Sequence, residues 1–204
     1  MQFREMPPAP GYSESFPWNE DDNFDNVFKR TLNAAWNLLL TRDISRISFR
    51  ELASDSGVTV PAIYRHVPSL DALAQHLALG SIIKLRREFR EVFFKTVSPL
   101  HAFRAVLEFA QKRPHHLELI MSPRFAGRPV VLEFRADLHA ELRAILMRWL
   151  QREPTPAEQV ALRIQLLGGA VQVASKMASL EEVLASNVAA LKTSRRTARR
   201  RKAA

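Results

Sequence analysis

Thr59, Val60, Pro61, Tyr64, Arg65 and His66 bring a hydroxyl, small apolar groups, a phenol, a guanidinium and an imidazole into one short run. Such groups suit a nucleic-acid duplex. An arginine donates two hydrogen bonds to a guanine edge, a threonine or valine methyl meets the thymine methyl, and a tyrosine hydroxyl reaches a phosphate oxygen. This chemistry needs a short helix facing outward, and the stretch SFRELASDSGVTVPAIYRHV, Ser48 to Val67, writes one. Ser48 and Glu51 read as a capping box, with Ile47 and Leu52 as a hydrophobic staple, so a helix starts at Phe49. Gly57 supplies the left-handed residue that ends it. Thr59 offers an N-cap oxygen to a second helix, whose first turn tolerates Pro61, and Pro68 closes that helix after about two turns. Ala53, Gly57 and Ile63 stand where a helix-turn-helix needs a small residue at the crossing, a turn glycine and an aliphatic pin. Arg65 and Thr59 are the expected base contacts, and Ser48, Arg50, Tyr64 and His66 the expected phosphate contacts, with Val60 and Pro61 on the same face.

The run from about Asp25 to Leu77 resembles the DNA-binding domain of the TetR family of bacterial transcriptional regulators. The resemblance includes a first helix, FDNVFKRTLNAAWNLLL, with Phe28, Leu32, Ala35, Trp36 and Leu39 on one face, and a segment PSLDALAQHL that opens a linking helix. Tyr64, His66, Val67, Pro68 and Ser69 carry its most specific signature. Two positions depart from the pattern: the turn TRDISRIS lacks the usual glycine, and Leu70 replaces a lysine that commonly touches a phosphate.

Length and composition agree with an all-α chain built from an N-terminal three-helix helix-turn-helix domain and a larger C-terminal helical domain. At 204 residues there is room for a small head and one larger core, and 47% apolar content is that of a packed protein. Only six glycines and no strand-like alternation argue against sheet. The absence of cysteine removes disulfides and thiol chemistry. No secretory signal and no apolar run near the roughly 18 to 20 residues of a membrane span are present, so the expected location is cytoplasmic, with no membrane partner.

The expected divisions are an acidic, proline-rich flexible arm over 1–23, the DNA-binding domain over 24–78, a ligand-binding and dimerisation domain over 79–192, and a disordered basic tail over 193–204. The net charge of +9 is concentrated in that tail, since removing Arg195, Arg196, Arg199, Arg200, Arg201 and Lys202 leaves +3. These six cations would add non-specific phosphate affinity. In the arm, Phe16 and Trp18 are candidates to pack on the body.

Beyond Leu79 the periodicity predicts helices over Leu79–Lys95, Pro99–Lys112, Pro114–Met121, Val130–Gln151 and Pro156–Met177, with Glu133, Asp137 and Glu141 marking a wet side. The last of these carries two apolar seams. Val160, Ile164, Leu167, Val171 and Ala174 form one, and Leu162, Leu166, Gly169, Val173 and Met177 the other, so the helix must be covered from two directions. The resemblance implies a homodimer whose last long helices pair across a two-fold axis. The expected interface is Leu138, Leu142, Ile145, Trp149, Val160, Ile164, Leu167, Gly168 and Val171, and a dimer doubles the half-site on a near-palindromic operator.

The resemblance also implies a small apolar effector that tilts the two heads apart. Phe89, Phe93, Phe103, Met121, Phe125 and Met147 are candidates to line its cavity, with His115, Gln165 and Gln172 as polar anchors. The adjacent histidines His115 and His116 point about 100° apart on a helix, so no metal site and no cofactor are expected. Nothing in the chain matches a phosphate-cradling glycine loop, HExxH, GxSxG or EF-hand pattern, and no nucleophile sits beside a base, so an enzyme is not expected. The expectation is a sequence-specific regulator, by analogy a ligand-responsive repressor. The alternative is a DNA-associated scaffold without a switch, which would bind with little sequence preference.

Overall fold

The computed structural model describes residues 26–95, 99–125 and 127–203, with side chains throughout except at 93–95, 99, 130, 134, 135 and 194–203. The arm over 1–23, with Phe16 and Trp18, lies outside the described residues. No strand occurs among those described. The head comprises α1 (Asn26–Leu39), a 3-10 turn (Ile44–Arg46), α2 (Phe49–Ser56) and α3 (Val60–His66). The body comprises α4 (Leu70–Lys95), α5 (Pro99–Lys112), α6 (Pro114–Met121), α7 (Pro129–Leu150), α8 (Pro156–Ala174) and α9 (Leu180–Ala203).

The spacing of Leu32, Ala35, Trp36 and Leu39 puts all four on the buried face of α1, where they share a core with Ile47, Leu52, Ile63 and Val67. Leu73 and Leu77 close that core from the first turns of α4, which starts with Ser69 Oγ accepting from Ala72 N at 3.1 Å. The expected border between residues 78 and 79 falls inside α4, because no proline interrupts it. At 26 residues it is a rod of about 39 Å. Its start is buried in the head, and its later residues Ile82, Leu85 and Phe89 are buried in the body.

The two seams of α8 divide. Leu162, Leu166, Gly169 and Val173 are buried within the chain, whereas Val160, Ile164 and Val171 are exposed, Ile164 by 66%. A Cβ on Gly169 would come within 2.6 Å of Val183 Cγ1, so this glycine sets the close approach of α9. Gly168 has open space where its Cβ would go and belongs to the outer face. Met177 lies past the end of α8 and is exposed.

Two expectations are corrected here. Residues 193–203 continue α9 as helix rather than forming a separate tail, since arginine, alanine and lysine are good helix formers and extend a helix already nucleated. That helix starts at a box the sequence reading missed: Ser179 Oγ accepts from Glu182 N at 3.2 Å, and the Glu182 carboxylate accepts from Ser179 N at 2.8 Å. Nor is the acidic row of α7 uniformly wet. Glu133 is exposed, but Asp137 pairs with Arg86 at 2.5 Å, and Glu141 is 1% exposed.

Candidate nucleic-acid interface

The turn between α2 and α3 is built as the residue types demand. Ser48 Oγ accepts from Glu51 N at 3.2 Å and starts α2, and Gly57, at φ 62° and ψ 35°, ends it in the left-handed region. The capping box is only half made. The Glu51 carboxylate turns to Arg42 Nη1 at 2.6 Å instead of reaching back to Ser48, a stronger charge-assisted partner than a neutral amide. Thr59 occupies the N-cap of α3 without a side-chain cap bond. Pro61 has no N–H to offer, and Ala62 N already binds the Thr59 carbonyl at 3.0 Å, so the threonine hydroxyl is left for other work.

Ile63 and Val67 are fully buried and pin α3 to the head, so the opposite side of this seven-residue helix faces solvent. Thr59, Pro61 and Arg65 are exposed, Tyr64 is 50% exposed, and Val60 and His66 are half-buried. The ring of Phe49 meets Tyr64 edge-on at 4.7 Å, which ties the start of α2 to α3 and brings exposed Ser48 and Arg50 beside the same surface. The His66 ring packs on Phe28 at 6.1 Å. Of the eight residues expected to meet DNA, six are exposed and Val60 and His66 are half-buried, with three hydroxyls and two guanidiniums among the exposed six.

Besides α4, the helix α6 fastens this head to the body. His116, on α6, is 0% exposed, lies 3.7 Å from the Trp36 ring of α1, and has Nδ1 2.9 Å from Ser81 Oγ of α4. Desolvation, reinforced by the Arg113 charge, pushes its pKa down to about 3, so it is a neutral spacer at physiological pH. His115 points elsewhere, with Nδ1 2.8 Å from Glu118 Oε2 and close to Asp43 of the head. Ligating atoms of Asp43, His115 and Glu118 lie within 4.8 Å of one another, the one group among the described residues with metal-ligand spacing. Asp43 already accepts from Ser45 N at 2.6 Å, and hydrogen bonds from Ser45 hold its carboxyl below the usual range.

A cavity of about 290 Å³ lies between α4, α5, α6, α7 and α8. Of the residues expected at an effector site, Phe89 and Met121 line it. Phe103 and Phe125 are buried outside its lining, His115 sits at the head junction, Met147 and Gln172 are exposed, and Gln165 is half-buried away from it. The side chain of Phe93 lies outside the described residues. Sequence reasoning missed the polar lining, Arg86, His139, Glu141 and Arg163. The signal was available: Arg86 and Arg90 are spaced by four on α4, and Asp137 and Glu141 by four on α7, so two rows of opposite charge face each other. Burial pushes the Glu141 carboxyl up to about 7, with Arg86 and Arg90 pulling it down and Asp137 pushing it further up.

The residues expected at a dimer interface separate into two groups. Val160, Ile164, Gly168 and Val171 form a continuous exposed face on α8. Leu142 and Ile145 are 3% and 4% exposed within the chain's own core, and Leu138 and Leu167 line the cavity. Trp149 is half-buried against the core.

Residues 32–77 match the family described as bacterial regulatory proteins, tetR family. A comparison with curated proteins finds no match. Among solved structures, a TetR transcriptional regulator from Rhodococcus sp. RHA1 is similar with a TM-score of 0.54 and 19% identity, covering 82% of this chain and 94% of that one. The TetR family repressor AlkX from Dietzia sp. strain DQ12-45-1b, implicated in biodegradation of n-alkanes, gives a TM-score of 0.50 and 16% identity over 83% of this chain and 97% of that one. At these identities the two structures establish a shared all-helical fold. Among the described residues no helix is long and apolar enough to cross a membrane.

Proposed function

The chain belongs to the TetR family of DNA-binding regulators, and from that premise we propose that it binds a near-palindromic operator as a homodimer and represses until an apolar effector enters the body. The observation that carries the reading is α3, pinned by fully buried Ile63 and presenting Thr59, Tyr64 and Arg65 to solvent. The exposed row Val160, Ile164 and Val171, with Gly168 between them, supports two-fold pairing, because one apolar helix face left uncovered on a single chain suits a second copy.

Effector response is supported by the way α4 and α6 are shared. Each lines the cavity, α4 through Leu85, Arg86 and Phe89, and α6 through Leu117, Ile120 and Met121. Each also touches the head, α4 through Leu73 and Leu77, and α6 through His116 on Trp36. A ligand that prefers one arrangement of these helices must therefore shift the heads, and it does so only by its differential affinity. Selection of bound fragments from random DNA tests the reading. A regulator enriches one site by about 10³-fold or more over bulk DNA, whereas a scaffold binds with little preference and steep salt sensitivity.

A further inference from the structure

Of the three charged side chains in the wall of the cavity, Arg86, Glu141 and Arg163, the buried ones are Arg86 and Glu141. Both are more than nine-tenths buried, and each has a polar atom without a hydrogen-bond partner, the donor Nε of Arg86 and the acceptor Oε1 of Glu141. Arg86 uses Nη2 on Asp137 at 2.5 Å. Oε1 of Glu141 is 3.9 Å from Arg90 Nε, too far for a hydrogen bond. Buried polar groups are nearly always partnered, so a bare donor and a bare acceptor in the wall of one apolar cavity mark where a ligand's polar group belongs. The space, about 290 Å³, holds roughly ten water-sized groups at about 30 Å³ each.

We propose that this cavity binds a small uncharged apolar molecule bearing one group that accepts from Arg86 and donates to Glu141, a hydroxyl or a primary amide. This rests on the effector-responsive reading above and names the effector's chemical class. A charged head is disfavoured by what already faces the site. Arg86 is paired with Asp137 and Arg90 lies beside Glu141, so a carboxylate held by Arg86 would stand against Glu141 and an ammonium held by Glu141 would stand against Arg86, while half-buried Arg163 donates from Nη1 to the ring of exposed His139 at 3.0 Å. A hydroxyl serves Glu141 in either protonation state, which matters because burial leaves that carboxyl close to neutral pH. An ether of the same size only accepts and leaves Glu141 bare.

Isothermal titration of the full chain at pH 8 with 1-octanol, heptyl methyl ether, octanoate and octylamine tests the assignment. The alcohol should bind at least about fivefold tighter than each of the other three. Its advantage over the ether should vanish in Glu141→Leu, and Leu167→Trp, which fills the cavity while leaving Glu141 in place, should abolish binding of all four. No binding of octanol, equal affinity for alcohol and ether, tighter binding of octanoate or octylamine, or an undiminished preference in Glu141→Leu overturns the proposal. The DNA selection is read separately. A chain that selects no site yet binds octanol through Glu141 loses the regulator reading and keeps this one, and a chain that selects a site but ignores octanol does the reverse.

Discussion

Replacing Glu141 by glutamine should reshape the acid stability of the protein in a direction opposite to the usual loss of a carboxylate. Its carboxyl is 1% exposed and rises from 4.5 to about 7, chiefly through desolvation. The folded chain therefore holds a proton that the unfolded chain releases between pH 4.5 and about 7. Stability contributed by the protonated group is fully present below pH 4.5 and is lost as pH rises through 7, at about 1.4 kcal/mol per unit and about 3 kcal/mol in all. Glutamine has no such term, so Glu141→Gln should gain about 3 kcal/mol on the parent between pH 4.5 and 7.5. His116 acts in the other sense: its folded pKa of about 3 lies below 6.5, so its stability is present above 6.5 and is lost as pH falls. In the parent the two slopes nearly cancel from pH 6.5 to 4.5, and the substitution unmasks the histidine. Urea melts of both proteins at one fixed chain concentration measure the difference, the concentration being held because a dimer's stability depends on it. A difference that stays flat within about 1 kcal/mol across this range would refute the burial of Glu141.

On the head, Arg65→Ala should cost about 1 to 3 kcal/mol of specific binding and relax preference at one base of each half-site, whereas Tyr64→Phe should weaken all sequences alike in gel-shift titrations. On α8, Ile164→Asp should turn a sedimenting dimer into a monomer with unchanged helical circular dichroism, since Ile164 is 66% exposed on the single chain and supports none of its core. At the basic end, truncation after Lys192 removes six of the cations behind the +9 net charge and should flatten the salt dependence of random-DNA binding. Equal salt slopes for the full and shortened chains would show that this segment does not reach phosphate.

The head was legible because its signals are local. A cap at Ser48, a left-handed glycine at Gly57 and the buried pin Ile63 lie within sixteen positions of one another and need nothing distant to be read. The two seams of α8 were also legible, since helical periodicity fixes which residues share a face, and only the structure could show which face the chain covers itself. What escaped depends on partners far along the chain. Asp137 and Glu141 look like solvated acids until α4 brings Arg86 and Arg90 against them, and Glu51 looks like half of a capping box until Arg42 competes for it. Leu142 and Ile145 carry the pattern of an interface, yet the chain's own helices reach them first.

Hydroxyl-radical footprinting of the full chain on its selected DNA site tests the central claim most directly, that α3 reads the duplex from each half of a pair. The expected result is two protected stretches related by two-fold symmetry, their centres about 10 base pairs or a multiple apart, both lost together in Ile164→Asp. One unsymmetrical stretch that survives in the monomer, or protection spread evenly along the duplex, would contradict it.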